Sequence, residues 1–351
     1  LVIGAGVAGF RAALSASQAG QVLVLAKTHG SDSNTYHAQG GIAAAFDPGD
    51  SVASHVADTL KTGCGLCDRE VVELVIGDSA NQIRQLQQWS MPFDTRDGKI
   101  DAGREGGHSY SRVYHALGDA TGKAVFLTLL EQVKKNRNIK IFENCFVVDL
   151  LTEGKTCLGV VCFHPKYGWQ CIWARKTILA SGGAGQLYRE TTNPAGATAD
   201  GLAMAYRAGA TLTDMEFMQF HPTTLYVAGA TRTLITEAMR GEGAYLVDRK
   251  GHRFMKEYHE MAELAPRDIV SRVIYNHMAK TNATNVFLDV RHFGSAWLAE
   301  RFPTISELCK SFDIDVNNDL IPVRPSAHYM IGGVKTDIQG RTAIASLYCC
   351  G

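Results

Sequence analysis

Several short segments of this chain combine charged and hydroxyl side chains with apolar neighbours. Unpaired charge in an apolar setting is costly, so these segments are candidates for a binding site. Arginine pairs with carboxylates through two hydrogen bonds, and histidine donates from a ring nitrogen. Their combination favours a site for a dicarboxylate. The segments are residues 104–109, 216–223, 236–243, 263–268 and 325–329.

Each candidate also has an ordinary structural interpretation. His221, which precedes a proline, can be a core histidine bonded to the backbone. Arg267 and Asp268 can form an ion pair at a helix start, because Pro266 is of the type favoured in the first turn. His328 can cap a loop. These alternatives stay open for each residue taken singly. They are less favoured than a binding site when all the segments occur together in a chain with a nucleotide-binding fold.

The start of the chain has the pattern of a dinucleotide-binding turn. Leu1–Ile3 is a short apolar strand, residues 4–9 read Gly-Ala-Gly-Val-Ala-Gly, an alanine-rich helix runs to Gly20, and a second strand spans residues 21–26. The three glycines permit a tight turn, close approach of a pyrophosphate, and close packing of helix on strand. The N-terminus of the helix then offers N–H groups to the phosphates.

The end of the second strand departs from the pattern for nicotinamide dinucleotides. An acidic residue there normally binds the ribose hydroxyls, whereas this chain has Ala26, Lys27 and Thr28. A lysine can still contact adenosine-side groups, but NAD as a diffusing substrate is disfavoured. Residues 31–44 are small, polar and rich in glycine, which suits backbone lying against a flat ligand.

Composition excludes several classes of partner. Among the 351 residues, Lys+Arg and Asp+Glu number 35 each, so neither nucleic acid nor an anionic membrane is expected to bind. We find no apolar run near the roughly 20 residues of a membrane span and no signal peptide.

Nine cysteines without framework spacing predict free thiols in the cytoplasm. Cys64 and Cys67 lack the second pair that zinc needs. We favour a chance occurrence of the two cysteines at this spacing, and a redox-active pair stays open.

The pattern along the chain predicts two α/β parts. Helical spacing occurs at residues 50–61 and 68–89, residues 94–112 resemble a loop, and a buried strand at 176–180 ends in a glycine-rich turn. Between about residues 215 and 325 charge and aromatic residues increase, and glycine-rich turns then return. We therefore predict an α/β fold in which a dinucleotide-binding domain (1–215 and 326–351) is interrupted by a capping domain (216–325).

The motifs together resemble one known family. The chain is similar, over its whole length, to the succinate dehydrogenase/fumarate reductase flavoprotein superfamily. This resemblance implies a Rossmann-like FAD-binding domain interrupted by an α+β capping domain, and a C-terminal helical domain of the family that is absent from this chain. The motifs that carry it are residues 4–9, 38–43, 104–109, 118–122, 180–183, 219–223, 236–243, 263–268 and 327–329.

Two positions indicate a branch of the superfamily. Asn34 stands where membrane-bound members carry the histidine that links covalently to the flavin, so the resemblance implies noncovalent FAD. Glu105 stands where the succinate enzymes carry an apolar residue, and a carboxylate there can pair with an α-ammonium group that succinate lacks. The resemblance is therefore to the branch that oxidises L-aspartate to iminoaspartate in the first step of de novo NAD biosynthesis.

This resemblance implies roles for particular residues. His221, Thr236, Arg267 and His328 would hold the carboxylates of L-aspartate between the flavin and the cap, and Glu105 its amino group. Lys27 would lie near adenosine, Val147 and Val148 by the adenine, and Asp200 near the flavin. The residues implied in FAD binding are Gly4, Ala5, Gly6, Val7, Ala8, Gly9, Lys27, Asn34, Thr35, Tyr36, His37, Ala38, Gln39, Gly40, Gly41, Val147, Val148, Gly182, Gly183 and Asp200.

The resemblance also implies reaction partners and leaves alternatives. Oxygen or fumarate would reoxidise the flavin, and in fumarate reduction Arg267 would be the proton donor. Iminoaspartate is unstable in water, which favours transfer to quinolinate synthase. No metal is expected. The alternatives are a soluble fumarate reductase or succinate dehydrogenase-type flavoprotein, and a catalytically silent FAD-binding fragment.

Overall fold

The computed structural model describes residues 1–228 and 233–351. Its helices are α1 (Val7–Ala16), α2 (Asn34–His37), α3 (Val52–Thr62), α4 (Arg69–Gln88), α5 (Thr121–Lys135), α6 (Asp200–Arg207), α7 (Glu237–Gly241), α8 (Arg267–Thr281), α9 (Ser295–Arg301) and α10 (Pro303–Ser311). Its strands are β1 (Val2–Ile3), β2 (Val22–Leu25), β3 (Ile42–Ala43), β4 (Thr95–Arg96), β5 (Lys99–Ile100), β6 (Ala102–Gly103), β7 (Val113–Tyr114), β8 (Ile139–Phe142), β9 (Phe146–Glu153), β10 (Thr156–His164), β11 (Gly168–Trp173), β12 (Thr177–Leu179), β13 (Leu212–Thr213), β14 (Met218–Leu225), β15 (Tyr245–Val247), β16 (Val286–Asp289), β17 (Ile321–Met330), β18 (Gly333–Val334) and β19 (Leu347–Cys349).

The chain divides into two units. The first unit comprises residues 1–38, 125–218 and 328–351, and the second comprises residues 39–124 and 219–327. The later boundaries lie within three residues of those predicted at 215/216 and 325/326. The grouping differs in one respect, because residues 39–124 were predicted to belong with the dinucleotide-binding domain.

A parallel sheet forms the centre of the first unit. Its strand order is β19-β12-β1-β2-β8, and β1 pairs in parallel with both β12 and β2. The aliphatic residues of these strands are buried, as expected for a parallel sheet that is covered on its faces. Phe10 of α1 packs against Phe126, with ring centroids 5.5 Å apart. Together with the antiparallel sheet β11-β10-β9, this arrangement confirms the predicted α/β class.

The second unit is built on an antiparallel sheet with helices. Its strand order is β14-β17-β16-β15, and β16 pairs antiparallel with both neighbours. Leu225, Phe254, Ile274 and Phe302 are fully buried in the core of this unit. The combination matches the α+β cap that was predicted. None of the helices in the described residues is long and apolar enough to cross a bilayer.

Specific contacts place residues 39–124 in the second unit. β3, β7 and β6 form a small antiparallel sheet there, so the predicted loop at 94–112 in fact contains short strands. The carboxylate of buried Asp119 accepts hydrogen bonds from the backbone N–H groups of Thr304 (3.2 Å) and Ile305 (3.1 Å), at the start of α10. Such long-range capping cannot be inferred from local sequence, since the two segments are far apart in the chain.

Candidate functional site

The glycine turn of the first unit has the tight geometry that its sequence predicts. Gly4 has a φ of +116°, and a Cβ atom there would lie 2.1 Å from the carbonyl oxygen of Ala180. A Cβ atom at Gly9 would lie 1.9 Å from the carbonyl oxygen of Gly4. Both positions therefore exclude any side chain, and the turn brings α1 close to β1 and to the end of β12.

The N-terminus of α1 is suited to a phosphate group. Its N-cap residue is Gly6, which has no side chain to satisfy the first N–H groups, and the first turn contains no acidic residue. The N–H of Val7 donates to Oγ1 of Thr35 at 3.0 Å, which brings the start of the predicted segment 34–41 to the turn. Free donors and the helix dipole favour an anion at such a terminus.

Segment 34–41 begins as the short helix α2. Ser33 caps this helix by accepting a hydrogen bond from the N–H of Tyr36 at 3.3 Å. Asn34 is exposed. The Oε1 atom of Gln39 is buried and has no hydrogen-bond partner among the described residues, and a Cβ atom at Gly40 would meet nothing within 4 Å. An unsatisfied buried acceptor beside open space fits a ligand with polar edges such as FAD.

Two other predicted cofactor residues contact each other. Nζ of Lys27 lies 2.7 Å from Oδ2 of Asp200 and also donates to Oγ1 of Thr198 (2.6 Å) and to the carbonyl oxygen of Gly196 (3.2 Å). These three bonds use all the donors of the ammonium group. The pair therefore fixes the start of α6, and contacts of either residue with FAD stay a prediction.

The remaining cofactor candidates are distributed over both units. Val147 is buried in β9, and the carbonyl oxygen of Val148 accepts from Nη2 of Arg207 at 3.0 Å. A Cβ atom at Gly182, whose φ is +75°, would meet nothing within 4 Å. The first unit contains Gly4, Ala5, Gly6, Val7, Ala8, Gly9, Lys27, Asn34, Thr35, Tyr36, His37, Ala38, Val147, Val148, Gly182, Gly183 and Asp200, and the second contains Gln39, Gly40 and Gly41.

Arg267 is the centre of a polar cluster in the second unit. It is the first residue of α8. Its Nε donates to Oε2 of Glu237, and its Nη1 donates to Oε1 of Gln219 at 2.9 Å. The suggested ion pair between Arg267 and Asp268 is not formed, because Asp268 instead lies 3.6 Å from Nη2 of Arg272 on the next helical turn.

A second arginine, Arg240, lies beside the pair formed by Arg267 and Glu237. Arg240 is fully buried, its Nη1 donates to the carbonyl oxygen of Glu263, and its Nη2 lies 3.9 Å from Oε2 of Glu237. Burial lowers the pKa of Arg240. Its Nε and Nη2 have no hydrogen-bond partner in the part of the chain that the structure describes. A buried guanidinium with unsatisfied donors marks an environment prepared for negative charge.

Thr236 and His221 complete this side of the cluster. Thr236 is the N-cap of α7, and its hydroxyl oxygen accepts from the N–H of Ala238 at 3.4 Å. His221 is completely buried, and its Nδ1 lies 3.2 Å from the backbone nitrogen and 3.1 Å from the carbonyl oxygen of Thr223. The backbone-bonded interpretation of His221 therefore applies to Nδ1, with Nδ1 donating in one tautomer of the neutral ring and accepting in the other.

Glu105 and His328 lie in different units. Glu105 belongs to the second unit, and its Oε1 lies 3.2 Å from Nε2 of His115. His328 belongs to the first unit, where its Nδ1 lies 2.7 Å from Oγ1 of Thr192. Four of the five predicted catalytic residues thus share the second unit.

Sequence reasoning assigned no site role to four polar residues that the structure adds to this cluster: Gln219, Glu237 and Arg240, which lie within the named motifs, and His115, which does not. Glu237 and Arg240 are three residues apart, a spacing that puts them on one helix face, and this signal was available within the motif 236–243. His115 had no local signal.

The described residues contain no cluster of potential metal ligands. Cys64 and Cys67 are free thiols, the first exposed and the second half-buried.

The fold and the glycine turn define a dinucleotide-binding α/β protein. A family model described as "FAD binding domain" matches residues 1–351, and the chain belongs to that family. It is 44% identical to the L-aspartate oxidase of Streptomyces coelicolor and 43% identical to that of Bacillus subtilis, over 100% of this chain and 62% and 65% of theirs. A solved E. coli quinol fumarate reductase has a TM-score of 0.95 at 35% identity, over 100% of this chain and 63% of that one.

These similarities confirm the superfamily and the cofactor FAD that the motifs predicted. The chain spans a little under two thirds of the length of these relatives.

Proposed function

We propose that this protein oxidises L-aspartate to iminoaspartate with noncovalently bound FAD, the first step of de novo NAD biosynthesis. The observation that carries the proposal is the placement of an anion and a cation in one cluster of the second unit. Arg267 donates to Glu237, and Glu237 lies against the loop that carries Glu105, since a Cβ atom at Gly106 would be 2.6 Å from Oε1 of Glu237. A guanidinium suits a carboxylate, and a buried carboxylate suits an ammonium group, so the cluster matches an amino dicarboxylate better than a plain dicarboxylate.

FAD would be held by the residues of the glycine turn and of segment 34–41. The phosphates suit the N–H groups of α1, and the flavin edge suits Gln39 and Gly40. When bound, FAD supplies the two-electron acceptor that no amino-acid side chain provides. Asn34 carries no ring nitrogen for a covalent link, which supports noncovalent binding.

The protein residues would bind and orient the substrate. Glu237 and Gln219 hold the guanidinium of Arg267 from two directions, which pre-organises it for a carboxylate. His221 and His328 would donate from their rings and Thr236 from its hydroxyl group, while Glu105 would hold the α-ammonium group. Fixed orientation of the substrate Cα supplies much of the rate acceleration.

Reduction of fumarate is a second candidate activity of the same site. The observation in its favour is the contact between Arg267 and Glu237, because a carboxylate of this kind can return a proton to a guanidinium that has donated one. Fumarate or oxygen would then accept the electrons from the reduced protein.

The deciding experiment is anaerobic titration of the complete FAD-loaded protein with L-aspartate and, separately, with succinate. Bleaching of the flavin absorbance by L-aspartate and little change with succinate would support the proposal. The reverse order would identify a succinate dehydrogenase-type protein, and no bleaching by either would identify a silent FAD-binding protein.

We further propose a reducing, cytoplasmic compartment and transfer of the product to quinolinate synthase. All nine cysteines are free in the described residues, which supports the first. The hydrolytic instability of iminoaspartate supports the second. A pull-down with purified quinolinate synthase, with retention compared at low and high salt, tests this partnership.

A further inference from the structure

Glu105 and His115 form a pair that is almost completely shielded from solvent. The two side chains are 13% and 6% exposed, and Oε1 of Glu105 lies 3.2 Å from Nε2 of His115. An ionised carboxylate can only accept hydrogen bonds, so Nε2 of His115 must be the donor. The contact uses one lone pair of Oε1 and leaves the other acceptor sites of the carboxylate to a ligand.

The histidine ring is held between two glycine backbones. His115 directly follows β7, the central strand of the small sheet β3-β7-β6. A Cβ atom at Gly41 would lie 3.0 Å from Nε2 of His115, and one at Gly103 would lie 3.3 Å from its Cε1. Both contacts are tighter than an ordinary Cβ contact, so a side chain at either glycine would press on the ring. This packing limits rotation of the ring and fixes the direction in which Nε2 points.

The charges around Glu105 favour its ionised form. Burial raises the pKa of Glu105, but the hydrogen bond from His115 and the nearby charges of Arg267 and His108 outweigh it, so the pKa lies below its ordinary value. Glu237 lies behind the same loop, since a Cβ atom at Gly106 would be 2.6 Å from its Oε1. Among the described residues, the side chain of His115 supplies the hydrogen bond to this carboxylate.

We propose that His115 is a positioning residue for Glu105 and that it sets the preference of the site for a dicarboxylate with an α-ammonium group over one without it. This inference rests on the proposed function. A carboxylate held in one orientation meets the ammonium group without an ordering cost. A carboxylate that has lost its donor rotates and protonates more readily, and the amino group then gains less from it.

The test compares two ligands that differ only where the amino group stands. L-α-Methylaspartate and 2,2-dimethylsuccinate have no hydrogen on the substituted carbon, so neither can be dehydrogenated there. Their dissociation constants are measured from the flavin absorbance of the complete FAD-loaded protein. We expect His115→Leu to raise the dissociation constant of α-methylaspartate by about tenfold and that of dimethylsuccinate by less than about twofold. His115→Gln keeps an amide donor near the position of Nε2 and should recover most of the affinity.

Two further measurements separate positioning from simple packing. In His115→Leu the acid-side loss of α-methylaspartate affinity should move to higher pH, because the pKa of Glu105 rises without its donor. In the Glu105→Gln background the same His115 substitution should have no further effect on the ratio of the two dissociation constants. His277→Leu is the matched control: this buried histidine stacks on Phe254 at 4.2 Å elsewhere in the unit, and the ratio should not change.

Equal weakening of both ligands by His115→Leu, or additive effects of the His115 and Glu105 substitutions, would overturn the proposal. If His115→Leu does not fold, His115→Asn replaces it, since its amide is too short to reach Oε1, and the same comparison with glutamine applies. Failure of the proposed function has a different signature: Glu105→Gln alone would then weaken both ligands equally, or L-aspartate would not bleach the wild-type flavin.

Discussion

Arg267 is proposed to bind a substrate carboxylate and, in fumarate reduction, to deliver a proton, and its replacement is expected to separate these two roles. Arg267→Leu removes both a positive charge and a set of donors from the start of α8. In the structure the guanidinium is bonded to Glu237 and to Gln219, and its side chain is 29% exposed. It is therefore held from one side and accessible from another, as a group that meets substrate must be.

The expected magnitude differs between the two activities. Loss of one charge-assisted contact with a substrate carboxylate costs roughly 1.5–3 kcal/mol, about ten- to a hundredfold in kcat/KM. Oxidation of L-aspartate should fall by this amount, mainly through a higher KM. Reduction of fumarate also needs a proton delivered to carbon. We therefore expect fumarate reduction to fall well beyond a hundredfold, with the additional loss in kcat.

The assay is steady-state kinetics of both reactions in the complete FAD-loaded protein, with thermal melting to confirm folding. Arg272→Leu is the matched control, because it makes the same change on the same helix at a residue whose side chain is 72% exposed. It should leave both activities unchanged. Arg267→Lys keeps the charge without the two-pronged geometry and should retain partial binding. A leucine variant that reduces fumarate at near-normal kcat once substrate is raised would refute the role of Arg267 in proton delivery.

Three further predictions concern the amino-group site, the cofactor linkage and the fold. Glu105→Gln should weaken L-aspartate oxidation by about ten- to a hundredfold and fumarate reduction far less; equal losses in kinetics would assign Glu105 a structural role. FAD should be released by acid denaturation, because Asn34 offers no linking ring, and flavin fluorescence that stays with the protein band on a denaturing gel would contradict this. Arg112, which is completely buried and bonded to Asp50 (2.7 Å) and Asp58 (2.5 Å), should be essential for stability: Arg112→Met should cost about 3–5 kcal/mol in urea unfolding, because it leaves the buried carboxylate of Asp50 without its guanidinium partner. Burial raises the pKa of each of the two Asp carboxyls, but hydrogen bonds from Arg112 and from neighbouring donors outweigh it, so both pKa values are lowered. The difference in the free energy of unfolding between the wild type and Arg112→Met should therefore be complete above about pH 4. It should disappear as the pH falls through the lowered pKa values.

Local patterns predicted the elements that depend on near neighbours. The helix expected at residues 68–89 is observed at Arg69–Gln88, with Asp68 accepting from the N–H groups of its first turn. The buried strand expected at 176–180 is observed at Thr177–Leu179. In contrast, the region 94–112 contains strands of only two residues. Such short strands have no periodicity of their own, since their pairing partners define them.

The sequence by itself determined the dinucleotide turn, because the turn needs residues without a Cβ atom at fixed positions, and residue type and spacing alone supply them. It also determined that Glu105 and Arg267 belong to polar motifs. Tertiary structure decided their partners. Arg267 bonds to Glu237, 30 residues earlier, and not to its neighbour Asp268, and Glu105 pairs with His115 rather than with Arg104 or Arg112. Buried charges select partners by distance and direction in space, and only the packed fold supplies these.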